Sequence, residues 1–212
     1  MKLAIRTSSG PYGVGLFTDC GSLLSCKEAE ATPTRPGNVG DLLQDMLAAN
    51  DLRLSDVSEL FVDLGPGGLS STRAGVSFAN ALSFGLGAKL CGVSALDVQF
   101  LDVKSPLARP TLSMRPALGQ KVFWAFYDQN VLAGKGCGLF DELVADLLGR
   151  FNHLLVIGPL QRLRIKVEGS TNIEFFNVDP PSLESLFAAS KQFPLASPGT
   201  FILEPIASIE GL

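Results

Sequence analysis

The chain has 212 residues, which at about 150 residues per domain is one large domain or two small ones. Apolar residues make up 46% and charged residues 18%, enough for a packed core and too little charge for a disordered chain. The 17 Lys and Arg against 21 Asp and Glu give a net charge of −4, which lacks the basic stripe of a general nucleic-acid binder but allows a protein that helps a basic partner handle RNA.

The first residues, Lys2 to Thr7, read as a strand rather than a secretory segment. No window approaches the roughly 18 apolar residues of a membrane span, so a cytoplasmic protein with no membrane association is expected. Thr7 to Pro11 is a turn by composition, Tyr12 to Phe17 resumes the apolar run, and Thr18-Asp19-Cys20-Gly21 suits a tight connection to Ser22–Cys26. Three short antiparallel strands follow from that pattern. Val39, Leu42, Leu43, Met46 and Leu47 recur at helical spacing, with Asn38 as N-cap and Asp41 in the first turn, and predict a helix to about Asn50. Leu60 to Leu64 reads as a central strand running into Gly65-Pro66-Gly67-Gly68. A helix from about Ser71 to Leu86 follows, unusually rich in small residues. Leu90 to Val93 is a short strand, and Ser94 can cap a further helix.

The composition changes near Lys104-Ser105-Pro106, and a domain boundary is expected between residues 104 and 105. Beyond it, Pro110–Met114, Val122–Tyr127 and Val131–Ala133 read as strands, Leu139–Leu148 as a helix and Leu154–Ile157 as a strand. The tail carries a short helix, Leu183–Ala189, and an extended piece around Phe201–Leu203, with Pro194, Pro198 and Pro205 as breaks.

Several chemistries lack their residues. There is no GxSxG elbow and no GxxxxGK[ST] loop. The only histidine, His153, beside Leu154–Ile157, reads as structural or surface and cannot supply a two-histidine zinc site. The four cysteines make no CxxC and no zinc spacing, and Cys20 and Cys91 read as small buried hydrophobes. No catalytic set, cofactor or metal site is therefore expected.

The strongest local signal is Gly65-Pro66-Gly67-Gly68 between a strand and a helix. Backbone amides at such a junction can receive an anion or nucleotide phosphate. The same glycines can instead serve a sharp turn and close strand–helix packing, and both readings stand; Gly65, Gly67 and Gly68 are the weak ligand candidates. Asp63, within an apolar strand, needs donors, which Arg73 could supply. Arg6 places a cation at the end of the first strand.

These segments resemble the bacterial TsaB (YeaZ) family of tRNA threonylcarbamoyladenosine biosynthesis, in the actin and sugar-kinase-like superfamily. Leu3-Ala4-Ile5-Arg6-Thr7-Ser8 matches its opening LAIDTS. The segment from Gly65 to Gly75 matches GPGSFTGLRIG, Gly92 to Leu96 matches GVSSL, and Gly119 to Tyr127 resembles GEVYWALY more weakly. The chain departs from the family at Arg6, in place of Asp, and around Gly37-Asn38, in place of a His–Ser pair. It departs again at Leu69, Ser70 and Ser71, in place of Phe, Thr and Gly.

The resemblance implies an α/β fold of two tandem actin- or ribonuclease-H-like domains, 1–104 and 105–212, the second degraded. It implies a non-catalytic partner of the catalytic subunit TsaD, in a complex with a TsaE-like ATPase that transfers a threonylcarbamoyl group to adenosine 37 of tRNA. The chain would meet tRNA only through that complex and form a homodimer when alone. The expected interface is made by the first two helices: Val39, Leu43 and Met46, then Arg73, Ala74, Ser77, Phe78, Ala81 and Gly85. The alternatives are a small phosphotransferase or ATPase of the same fold, which would need a first-strand carboxylate where Arg6 stands, and a homodimeric scaffold without a tRNA role.

Overall fold

The computed structural model describes residues 1–29, 38–103, 108–163, 171–194 and 203–206. The first sheet begins with β1 (Lys2–Arg6), β2 (Tyr12–Phe17) and β3 (Leu23–Ala29), and α1 (Val39–Ala49) follows. After a 3₁₀ turn at Leu54–Asp56 come β4 (Glu59–Asp63), α2 (Leu69–Leu86), β5 (Lys89–Val93) and α3 (Ala95–Asp102). The second sheet comprises β6 (Thr111–Pro116), β7 (Lys121–Asp128), β8 (Val131–Leu139), β9 (Leu154–Gly158) and β10 (Ile173–Asn177). Its helices are α4 (Phe140–Arg150) after β8 and α5 (Leu160–Leu163) after β9, and α6 (Leu183–Gln192) follows β10.

The two sheets repeat one topology. The first has the order β3-β2-β1-β4-β5 and the second β8-β7-β6-β9-β10. In each, an antiparallel meander of three strands is extended by two parallel strands. The central strands β1, β4 and β9 are buried on both faces, which is why they read as continuous apolar runs. The edge strand β3 alternates between half-buried and exposed positions.

Each sheet is covered on two faces. On the outer face of the first, Leu3, Ile5, Val14 and Leu16 pack against Leu43, Met46 and Leu47 of α1 and Val76 and Ala79 of α2. On the outer face of the second, Leu112, Met114 and Phe126 pack against Val144 and Leu147 of α4. The inner faces are covered by exchange. Helix α3, which follows the last strand of the first sheet, puts Leu96 and Phe100 against Ala125, Tyr127 and Ile157 of the second. Helix α6, which follows the last strand of the second, puts Leu183, Leu186 and Ala189 against Ala4, Phe17 and Val93 of the first. The two helices also join directly: Asp102 Oδ1 accepts from Ser182 N at 3.1 Å and from Ser185 Oγ at 2.9 Å. Each inner core is thus built from both halves of the chain, and the expected boundary between 104 and 105 lies outside the described residues.

Local sequence explains most of these elements. The Asn38 side chain accepts from Gly40 N at 2.9 Å to cap α1, and α2 ends at Gly87 in the left-handed conformation, φ 64°. Helix α2 starts two residues before the expected Ser71, directly on Gly68. Strand β8 pairs with β7 as far as Leu139, beyond the expected Ala133, through glycines that lie under the Trp124 indole; a Cβ on Gly136 would come to 3.0 Å from the ring. The sequence reading missed β10 and α5. Phe201 and Ile202 fall outside the described residues, but Leu203 and Ile206 are buried in the first core, tied by Leu203 N to Asn80 Oδ1 at 2.9 Å and Ile206 N to Leu64 O at 2.7 Å. The reading of Cys20 as a buried hydrophobe is corrected: it is exposed on the β2–β3 turn, and Cys91 is only half-buried. Among the described residues no helix is long and apolar enough to cross a membrane.

The exchanged helix α6 makes a direct test of this arrangement. Leu186 is fully buried under the first sheet, and Leu186→Ala is expected to cost about 2–5 kcal/mol in urea unfolding. A single cooperative transition is expected, because the cavity would open in a core that both halves share.

Candidate functional site

The ends of β1 and β6 meet in the cleft between the two sheets, where Arg115 of β6 reaches Ser8 just after β1. Asp63, at the end of β4, is buried there and is held by three backbone amides: Thr7 N and Ser8 N donate to Oδ2 at 3.3 and 3.1 Å, and Gly65 N donates to Oδ1 at 2.9 Å. The expectation that Arg73 supplies these donors is corrected, since Arg73 lies exposed on the outer side of α2. A buried carboxylate that accepts several amides is satisfied without a cation.

The glycine loop from Gly65 to Gly68 lies against the turn after β1. A Cβ on Gly67 would stand 2.1 Å from the Ser8 carbonyl oxygen, and one on Gly75 2.1 Å from Thr7 Oγ1. Gly68 N donates to Ser8 O at 3.0 Å. Gly65, not Gly67, has positive φ, at 86°. Two of the loop amides offered to an anion by the sequence reading, those of Gly65 and Gly68, are thus taken by the chain itself, and close packing explains why a side chain cannot enter at Gly67.

Two arginines fill the cleft. Arg6 is 1% exposed: Nη1 donates to the Pro181 carbonyl just before α6, and Nη2 donates to Pro11 O at 3.1 Å and Glu28 Oε1 at 2.5 Å. Arg115, in β6, is 3% exposed. Its Nε donates to Gln99 Oε1 of α3, Nη1 donates to Ser8 Oγ at 2.8 Å and to Pro66 O at 3.1 Å, and Nη2 reaches Ser9 Oγ at 3.4 Å. Burial pulls the Arg115 guanidinium below its ordinary value, opposed by the charges of Asp63 and Asp179 and assisted by those of Arg162 and Arg6. Arg115 was absent from the sequence reading. Its signal was a short repeat: Leu3-Ala4-Ile5-Arg6 in β1 and Leu112-Ser113-Met114-Arg115 in β6.

The expected interface residues divide by burial. Val39, Leu43 and Met46 are buried against the chain's own first sheet, which corrects their placement on a partner surface. Arg73, Ala74, Ser77, Ala81 and Gly85 are exposed along one side of α2, with Phe78 half-buried beside them. Phe84, which the sequence reading passed over, is 89% exposed on the same helix. His153 is exposed before β9 and lines a depression of about 710 Å³ with Arg109 and Glu174, at the opposite end of the strands from Arg115. Among the described residues no group of three His, Cys, Asp or Glu side chains is arranged to hold a metal ion.

A second buried polar contact lies under α3. The Tyr127 hydroxyl donates to Asp97 Oδ1, and the Tyr127 ring stacks on Phe100 at 3.8 Å. Burial pushes the Asp97 carboxyl up to about 6, with the Tyr127 hydrogen bond and the Lys135 charge pulling the other way. Burial and the same carboxylate push the Tyr127 hydroxyl up as well.

Two outcomes follow from this geometry. Gly67→Val is expected to lower the melting temperature with a loss of at least about 1–3 kcal/mol, because the side chain meets backbone that cannot give; an unchanged melting temperature would favour the open anion cradle instead. The raised Asp97 value sets the sign of a pH effect. The folded protein holds a proton that the unfolded chain releases near pH 4, so this contribution is complete below about pH 4 and is lost as pH rises through about 6. Asp97→Asn keeps an acceptor for Tyr127 and removes the buried charge. Its melting temperature should exceed the parent's at pH 7.5, by the equivalent of about 1–3 kcal/mol, with the gap closing toward pH 4.

Comparison with known proteins places this geometry in a family. A family model described as TsaD, tRNA N6-adenosine threonylcarbamoyltransferase, matches residues 37–191, well over half of the chain. A tRNA N6-adenosine threonylcarbamoyltransferase of Desulfovibrio desulfuricans is 33% identical over 78 residues, 36% of this chain and 22% of that protein, so the matched region spans about a fifth of the relative's length. YeaZ from Pseudomonas aeruginosa has a similar structure, with a TM-score of 0.71 at 20% identity over 90% of both chains. A structure described as an uncharacterized protein with similarity to peptidase YEAZ, also from Pseudomonas aeruginosa, gives 0.72 at 18% identity over 90% of both chains. At these identities the likeness is one of fold, an actin-like α/β topology. The extent of the family match goes further than fold: the chain belongs to the TsaD family.

Proposed function

We propose that this chain is a non-catalytic subunit of a tRNA threonylcarbamoyladenosine-forming complex, in which it docks on a TsaD-like catalytic subunit that works with a TsaE-like ATPase. The observation that carries this reading is the pair of buried arginines at the ends of β1 and β6. A phosphotransferase or ATPase of this fold needs a carboxylate on its first strand to organise Mg²⁺ and phosphate. Here that position is a guanidinium bonded to the chain's own carbonyls, and the glycine loop beside it is packed on Ser8. The chain contributes an interface in place of a reaction.

The reading places that interface on the exposed side of α2, where Ala74, Ser77, Ala81 and Gly85 let another backbone approach and Phe84 offers an apolar anchor. The same face would make a two-fold homodimer when the catalytic subunit is absent. We assign the docking role to the first of two tandem domains, residues 1–104, and tRNA contact to the partners, in keeping with the net charge of −4 and a cytoplasmic setting.

Reconstitution tests this reading. The catalytic subunit, the threonylcarbamoyl-adenylate-forming enzyme, the ATPase subunit, ATP, threonine, bicarbonate and substrate tRNA are combined with and without the chain, and modified adenosine is read by nucleoside mass spectrometry. Modification is expected to depend on the chain; full activity without it, or none with it, defeats the assignment. Ala81→Leu adds bulk to the proposed contact and should weaken self-association in sedimentation by about 1–3 kcal/mol. Unchanged association would place the contact elsewhere.

A further inference from the structure

The equivalence of Arg6 and Arg115 has a geometric basis. Leu3 and Leu112 both begin the repeated four-residue stretch, and each is the central strand's link to a parallel neighbour, Leu60 in one sheet and Val156 in the other. Leu3 and Ile5 face the outer helices of the first sheet, as Leu112 and Met114 face those of the second. The alternate residues face inward: Ala4 meets α6, and Ser113 donates to the Leu96 carbonyl of α3 at 2.9 Å. Arg6 and Arg115 come next on that inner face, one at the tip of each first strand.

Their partners cross over. Arg115 belongs to the second sheet, yet every acceptor it has among the described residues precedes that sheet in the chain: Ser8 and Ser9 after β1, Pro66 in the glycine loop and Gln99 in α3. Arg6 belongs to the first sheet and bonds the Pro181 carbonyl on the segment that leads from β10 into α6. We propose that the two arginines form a reciprocal clasp across the cleft, and that Arg115 is a positioning residue for the start of α2. The link is short. Arg115 holds the Pro66 carbonyl and Ser8 Oγ; Ser8 O holds Gly68 N; and the Gly68 carbonyl accepts from Thr72 N and Thr72 Oγ1, both at 2.8 Å, in the first turn of α2. The second sheet thereby fixes the angle at which the exposed face of α2 is presented. That last step rests on the docking role proposed above, while the clasp itself does not.

A guanidinium suits this task because its planar fork spreads donors over three nitrogens in fixed directions, whereas an ammonium presents its three donors from a single nitrogen on a flexible stem. Arg115→Met keeps much of the volume and removes the fork, Arg115→Lys keeps the charge, and Ser8→Ala removes one acceptor. Hydrogen exchange is followed amide by amide in the full chain. Arg115→Met is expected to speed exchange by about tenfold or more at Gly68 and through Thr72 and Arg73, the size of effect expected for losing a hydrogen bond to a charged group. Amides of β7 and α4 should stay protected, which separates a positioning role from general destabilisation. Arg115→Lys should not restore the parent pattern, and Ser8→Ala should show the same local change in smaller degree. Unchanged exchange at residues 68–73, or an equal rise in β7 and α4, overturns the clasp. If Arg115→Met does not fold, Arg115→Lys and Ser8→Ala decide the matter by the same readout. In a pull-down with the catalytic subunit, Arg115→Lys should bind more weakly than the parent. If the parent itself does not bind, the docking role fails and the exchange result stands alone.

Discussion

A guanidinium taken out of water must be given acceptors in nearly every direction, or the charge costs several kcal/mol. Arg6 and Arg115 impose that demand at the centre of the molecule, where the tips of two β-strands meet. The chain meets most of it with its own backbone and side chains: the carbonyls of Pro11, Pro66 and Pro181, the hydroxyls of Ser8 and Ser9, the amide of Gln99 and the carboxylate of Glu28, with Arg6 Nε left unpaired among the described residues. The nearby carboxylates of Asp63 and Asp179 favour the charged form of Arg115. The close approach of the Ser8 turn to the glycine loop, the absence of a Cβ at Gly67 and the path of the segment into α6 all accommodate these bonds.

The exchange of α3 and α6 acts on the same cleft from below. Because each helix covers the sheet of the other half, the two sheets cannot separate without exposing Leu96 and Phe100 on one side and Leu183 and Leu186 on the other. Two lobes that flank a cleft commonly close around a ligand by hinge motion. In this chain the clasp and the crossed helices hold the lobes with internal bonds. The interface proposed on α2 would be carried by that frame, and association costs less when a surface is already ordered.

Much of this was legible in the sequence. The apolar runs at Leu3–Ile5, Leu60–Leu64 and Leu154–Ile157 marked strands, the second of them as central, and the run of apolar residues reflects cover on both faces in all three. Asn38 and Ser94 marked helix starts because their side chains accept from amides two residues on. What sequence periodicity hid has physical causes. Strand β10, Ile-Glu-Phe-Phe-Asn, is a short edge strand whose apolar–polar alternation is broken by the exposed Phe176, and β8 carries glycines that admit the Trp124 ring of the neighbouring strand. At the cleft, Arg6 stood out beside the family motif, but its acceptors Glu28 and Pro181, and the Thr7 and Ser8 amides that donate to Asp63, come from segments distant in the chain. Val39, Leu43 and Met46 were the apolar stripe of α1, and apolar periodicity alone does not say whether such a stripe meets the chain's own sheet or another protein. Arg115 left one trace, the match of Leu112-Ser113-Met114-Arg115 to Leu3-Ala4-Ile5-Arg6, and its meaning came from the fold that superimposes the two.

The central claim is that the cleft is occupied by the chain's own arginines and therefore does not take a nucleotide. The most direct measurement is thermal unfolding of the isolated chain with and without millimolar Mg²⁺–ATP, and the same for ADP. A ligand at about 100 times its dissociation constant stabilises the fold by about 2.7 kcal/mol, a shift of several degrees for a chain of this size. The account predicts no shift beyond error with either nucleotide. A saturable rise in melting temperature that disappears on altering Gly65–Gly68 would show that the cleft opens to a nucleotide, and would contradict it.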